Sequence, residues 1–115
     1  MRSRDVRVHL FDMLAAAEAV ASFTSGRTLE DYRQDPMLRS AVERQLEILG
    51  EAMARTLKIE PALEGLVPDA RLVVDFRNVV AHGYNVLDDG RVWDVAVRLI
   101  PTLRDSVQRL LDERG

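Results

Sequence analysis

The chain has 115 residues, 47% of them apolar and 30% charged, which suits one packed core and is too apolar for a disordered tail. Its 16 basic and 19 acidic side chains leave a net charge of −3, excluding a general polycationic nucleic-acid coat but not a local basic cleft. Cysteine is absent, so disulfide scaffolds, zinc–thiolate centres and cysteine nucleophiles are excluded.

The longest apolar run, Met13 to Ala17, is far short of the roughly 20 residues that span a bilayer. Charges at Arg2, Arg4, Asp5, Arg7 and Asp12 interrupt any signal-peptide core, so a soluble cytoplasmic protein without a membrane partner is expected. Val6, Leu10, Met13, Leu14, Ala17, Val20 and Ala21 recur at helical spacing, with Gly26 as the stop. Thr28 and Asp31 predict a short capped turn or helix. Asp35-Pro36 then pairs an N-cap carboxylate with a proline at the first helical position. Leu38, Val42, Leu46, Leu49, Met53 and Leu57 continue a stripe for about 20 residues, or roughly 30 Å.

Pro61 and Pro68 bracket a connection containing Gly65, and a further helix is predicted from near Pro68-Asp69, carrying Val73, Val74, Phe76, Val79 and Val80. Leu72 to Val74 also read as a strand, but a single strand has no partner to pair with. Gly83 is placed as the helix stop and Asn85 to Gly90 as a turn. The last helix has Val92, Ala96, Leu99, Leu103, Val107 and Leu110 on one face, with a kink or break expected at Pro101. The pattern predicts one all-α domain over residues 1–115, an antiparallel bundle of four to five helices. Its longest members are the first helix and the one opened by Asp35.

The chemistry lies in Arg77-Asn78-Val79-Val80-Ala81-His82-Gly83-Tyr84. On a helix, Asn78 and His82 share a face, and Tyr84, seven residues from Arg77, returns to the arginine's side. Arg77 and His82 are five residues apart, about 7.5 Å along the axis. An arginine fork fits a phosphate, and a histidine exchanges a proton near neutral pH. Together they meet the minimal needs of RNA cleavage without a metal or other cofactor. A purely structural arrangement fits the same spacing: a last-turn histidine favoured by the helix dipole, a glycine C-cap and a tyrosine packing back.

Arg77, four residues, His82, one residue, Tyr84 resembles the RX4HXY motif of the HepT-like toxins, a branch of the HEPN superfamily of ribonucleases. Ala41 to Ala52 is similar to that family's second helix, and Val92-Trp93-Asp94 with Pro101-Thr102-Leu103 to its last. The resemblance implies a dimerising HEPN-like bundle in which Arg77 and His82 of both subunits of a homodimer share one RNA-cutting cleft. It implies that Asn78 supports the phosphate. It further implies that a minimal nucleotidyltransferase (MNT) antitoxin attaches AMP to Tyr84. Ala70 to Phe76 departs from the family pattern in lacking a tryptophan.

Arg44, Glu47 and Glu51 share a face, as a solvated charge ladder or, by the resemblance, as part of the cleft that orients Arg77. Gly50 fits a close helix crossing. His9 lacks a partner at ligand spacing, and two histidines without cysteine make a zinc site an unusual set, so no metal is assigned. Trp93 is placed as a packing anchor. Asp88-Asp89-Gly90 lacks the spaced oxygens of a calcium loop and is placed as a turn and helix start. Two functions compete. One is a metal-independent endoribonuclease toxin, favoured by Arg77 and His82; the other is a non-catalytic helical module that binds and regulates a nucleotidyltransferase, favoured weakly by the acidic net charge.

Overall fold

A computed structural model describes residues 2–82 and 88–114, with side chains for 6–76 and 88–114. Helix α1 covers Arg2–Thr24, α2 Leu29–Gln34, α3 Pro36–Ile59, α4 Ala70–His82, α5 Asp89–Asp94 and α6 Ile100–Arg114. A 3-10 segment, Pro61–Leu66, fills the connection between α3 and α4, and a π-helical turn, Val95–Leu99, joins α5 to α6. Among the described residues there is no strand, and no helix is long and apolar enough to cross a membrane. The two longest helices are α3 and α1, with 24 and 23 residues.

Local chemistry sets the helix starts. The Thr28 hydroxyl accepts from the Asp31 amide at 3.1 Å while the Asp31 carboxylate accepts from the Thr28 amide at 2.9 Å, a reciprocal capping box that makes the short α2 viable. The Asp35 carboxylate accepts from the Leu38 amide at 3.1 Å and Pro36 follows it, so α3 opens where the sequence places it. Helix α5 begins in the same way, with Asp88 accepting from the Gly90 and Arg91 amides at 3.0 and 3.3 Å.

The core is assembled on α3, which packs against α1 on one side and α4 on the other, while α6 lies on α1. All six predicted apolar positions of α3 are buried. In α1, Val6, Leu10, Met13, Ala17 and Val20 are buried, whereas Leu14 is half-buried and Ala21 exposed at the margin of the stripe. In α4, Val73, Val74 and Phe76 are buried; the side chains of Val79 and Val80 lie outside those described. Two ion pairs tie α6 to its neighbours. Arg104 reaches Glu18 of α1 at 3.1 Å, and Arg114 grips Glu60, just past α3, with two nitrogens on two oxygens at 3.1 and 2.6 Å. The second is the bidentate geometry that makes an arginine–carboxylate pair strong.

The regular α-helical ladder is interrupted just before Pro101. The backbone stays helical on both sides of it, and the adjustment sits one turn earlier. There the Ile100 amide donates to the Val95 carbonyl, five residues back. Widening the turn is a standard way to admit a proline ring that would otherwise meet the carbonyl four residues before it.

Tyr32 shows what the packing costs. Its side chain is fully buried and its ring lies 5.4 Å from that of Trp93, tilted by 44°, which makes Trp93 the packing anchor expected of it. The Tyr32 hydroxyl, however, has no hydrogen-bond partner among the described residues. A buried, unpaired hydroxyl forfeits its hydration without compensation. Tyr32→Phe keeps the ring contact and removes that penalty, so it is expected to stabilise the fold by about 1 kcal/mol in urea unfolding. A loss of stability of that size would show that the hydroxyl is satisfied in solution.

Candidate active site

The sequence motif falls on α4, and the way this helix starts determines where the motif sits. Asp69 adopts a left-handed backbone conformation with φ of 63°, one of the few non-glycine residues that tolerates it, and its carbonyl accepts from the Val73 amide at 3.1 Å. The helix therefore begins at Ala70, slightly later than the Pro68-Asp69 expected, and runs unbroken through His82. Arg77, Asn78 and His82 all lie in its last two turns. Their side chains are outside those described, and Gly83, Tyr84 and the start of the predicted turn at Asn85 are outside the described residues altogether.

The register alone is informative. An unbroken helix puts positions 77 and 82 about 7.5 Å apart along the axis and about 140° apart around it. Position 77 follows Val73 and Val74 by four and three residues, in line with the stripe that α4 buries. Position 82 belongs to another stripe, formed by Arg71, Asp75, Asn78 and His82 at intervals of four, three and four. Arg71 and Asp75, the two members of that stripe with described side chains, are exposed. The two motif positions therefore stand on different flanks of one helix. Asn78 and His82 share a face, as the spacing predicts.

Near the start of α4 a groove of about 450 Å³ opens against α3, lined by Glu51, Ala54, Arg55, Leu57, Lys58 and Arg71. Because Arg71 sits beside the C-terminal part of α3 and α4 packs along α3, α4 runs back antiparallel to it. The Arg55 Nε donates to Glu51 at 3.0 Å, and Arg71 donates to Glu64 at 2.9 Å, a hydrogen bond that raises the Arg71 pKa further. Arg44 pairs with Glu47 at 3.1 Å, a neighbouring surface pair like Arg55–Glu51. Gly50 is buried on the same helix.

A second group of ionisable residues meets where α2, α3 and α5 converge. Partial burial raises the Glu43 pKa above its ordinary value, the charge of Asp89 raises it further, and Arg39 opposes both. Burial likewise pushes the Tyr32 phenol up, reinforced by Glu43 and Asp89. The sequence reading singled out neither Glu43 nor the groove residues Arg55, Lys58 and Arg71. Each looks like an ordinary helix-surface charge until three elements are brought together.

The chain matches the sequence profile of the family described as "Ribonuclease HepT-like" over residues 13–110, and it belongs to that family of ribonucleases. It is similar to "Putative RNase MJ1380" of Methanocaldococcus jannaschii, 30% identical, with 94% of this chain and 98% of that protein covered. It is also similar to "Probable ribonuclease HepT" of Thermococcus cleftensis, 29% identical over 93% of this chain and 96% of that one. A third relative is "Gamma-glutamylcyclotransferase and putative RNase MJ0434" of Methanocaldococcus jannaschii, at 26% identity; 96% of this chain matches, but it spans only 49% of that longer protein. No solved structure matches significantly.

The raised pKa of Glu43 has a definite sign for stability. The folded protein holds this proton more tightly than the unfolded chain, whose carboxyl titrates near the ordinary value of 4.5. Ionisation therefore opposes folding, by an amount that grows as pH rises from there through the folded value. Glu43→Gln is expected to stabilise the protein at pH 7 by roughly 0.5 kcal/mol. The gain should vanish below pH 4.5, where the carboxyl is protonated in both states. Thermal unfolding across that range checks it, and a gain that persists in acid would place the cause elsewhere.

Proposed function

We propose that this chain is one HEPN-like domain acting as a metal-independent endoribonuclease, the toxin of a toxin–antitoxin pair. Arg77 and His82 from two protomers of a homodimer form its cleft. The observation that carries this reading is that Arg77 and His82 lie in the last turns of an unbroken α4, with Tyr84 two residues on in the sequence, in a chain that belongs to a ribonuclease family over residues 13–110. Placing the two positions on different flanks of one helix also fits a cleft completed by a second copy, because transfer at a phosphodiester benefits from both an acid and a base.

In the proposed reaction, the 2′-hydroxyl of the RNA attacks the adjacent phosphorus while one imidazole accepts its proton. The bond to the 5′-oxygen breaks and that oxygen takes a proton, leaving a 2′,3′-cyclic phosphate and a free 5′-hydroxyl. Arg77 offsets the charge that builds on the phosphorane, with Asn78 supporting the phosphate. Tyr84, two residues beyond His82, is the position at which an MNT antitoxin adds AMP. The added phosphate competes with RNA for the arginine by charge and by size. The acidic net charge favours the second reading, a non-catalytic module that regulates the nucleotidyltransferase, and the same experiment separates the two.

Purified protein is expected to cut RNA equally well with and without EDTA, and to leave cyclic phosphate ends. His82→Ala should lose at least about 100-fold in kcat. Its unfolding free energy should change by no more than about 1 kcal/mol, the scale of a helix-dipole contact. Arg77→Lys should lose most activity too, since an ammonium cannot form the fork. After incubation with the neighbouring nucleotidyltransferase and ATP, peptide mapping should find AMP on Tyr84. Cleavage retained by His82→Ala would move the chemistry elsewhere, and a wild-type protein that binds the nucleotidyltransferase without cutting RNA would establish the second reading.

A further inference from the structure

The groove between α3 and α4 takes one core residue, Leu57, into a lining that is otherwise mostly charged. Three of its six lining residues are cations, Arg55, Lys58 and Arg71, against one anion, Glu51, in a chain whose net charge is −3. Lys58 is exposed and makes no ion pair with any described residue. Among the described residues the two arginines are held by surface carboxylates. Arg55–Glu51 is 61% and 44% exposed and Arg71–Glu64 57% and 47%, and such pairs are worth about 0–1 kcal/mol. A phosphate oxyanion, which a guanidinium grips with two parallel hydrogen bonds, can displace partners held that weakly.

Position and lining then identify what the groove takes. Arg71 heads the α4 stripe that continues through Asp75 and Asn78 to His82. Eleven residues are three turns plus about 20°, so positions 71 and 82 lie almost in line, about 16.5 Å apart. A strand whose scissile phosphate sits at the motif can follow this face back to the groove. The remaining lining residues, Ala54 and Leu57, are small or aliphatic, and among the described residues of the lining no aromatic ring is available to stack a base. A basic groove without a stacking platform reads backbone charge, not sequence.

We propose that the groove of Arg55, Lys58 and Arg71 is a positioning subsite that binds a backbone phosphate of single-stranded RNA a few nucleotides from the bond that is cut. The inference rests on the ribonuclease reading above. The subsite works through electrostatic contact along the strand, so it acts on substrate capture and favours substrates long enough to reach it. Glu64 limits it by competing for Arg71.

The test compares wild type, Lys58→Ala/Arg71→Ala and Glu64→Gln, using a single-stranded RNA of about 12 nucleotides and a dinucleotide. Binding of the longer RNA is measured across a salt series in a His82→Ala background, where it is not cut. The double variant should weaken binding about tenfold and flatten the slope of log affinity against log salt by about 1.4, two contacts at about 0.7 each. In cleavage, the loss should fall on KM, and the preference for the longer RNA should drop about tenfold. Glu64→Gln, which frees Arg71 without removing a cation, should shift binding and preference the opposite way by about two- to threefold. That reversal is something a merely misfolded variant cannot produce. An unchanged slope and preference would overturn the proposal, as would loss of nucleotidyltransferase binding with RNA binding intact. If wild type cuts neither RNA, the ribonuclease reading fails, while the salt slopes still decide whether the groove holds RNA.

Discussion

Helix α3 buries a stripe too wide for one neighbour. Leu38, Val42, Leu46, Leu49, Met53 and Leu57 run down it, and Gly50, Ala52 and Thr56 broaden it. Covering such a surface takes a helix on each side, and α1 and α4 take those places. A glycine inside a helix costs about 1 kcal/mol relative to alanine, so a buried one at position 50 signals a demand for space that outweighs propensity. The path of α4 is then decided by packing. Val73, Val74 and Phe76 fix its first half against the core. Its last two turns, which carry the motif, are aimed by a scaffold that uses other residues.

Much of this was legible in the sequence because the determinants are local. A capping residue meets amides two or three positions away, and an apolar stripe repeats within a turn, so Thr28–Asp31, Asp35-Pro36 and Asp88 could be placed without the fold. The π turn before Pro101 was not legible: a proline states that the hydrogen-bond ladder must change, but not whether it will kink, break or widen. Val92, Ala96, Ile100 and Leu103 are buried on both sides of the widened turn, so both halves of the helix pack on the core. The 3-10 segment between the prolines is a similar case, with Leu63 buried beneath it as an anchor that spacing alone does not reveal.

The site divides along the same line. The motif is contiguous in sequence and was visible as a spacing. The groove depends on Arg55 and Lys58 of α3 meeting Arg71 from the next helix, after a turn whose direction is set by the left-handed Asp69. Net charge was a poor guide here. A value of −3 averages over the whole surface, whereas an oxyanion responds to charges within about a Debye length, roughly 8 Å at physiological salt, and there three cations face Glu51 and Glu64.

Rigidity is distributed so that the helices flanking the motif tyrosine are both held. On one side α4 is anchored by its buried valines and phenylalanine. On the other, α5 is capped by Asp88 and pinned through the Trp93–Tyr32 contact to α2, itself locked by its capping box. That junction carries two costs, a buried hydroxyl with no partner among the described residues and a carboxyl whose ionisation opposes folding. Neither residue lies on α4, so the costs do not arise from the motif itself. They arise from docking two six-residue helices, α2 and α5, each too short to be stable alone, around one buried aromatic pair.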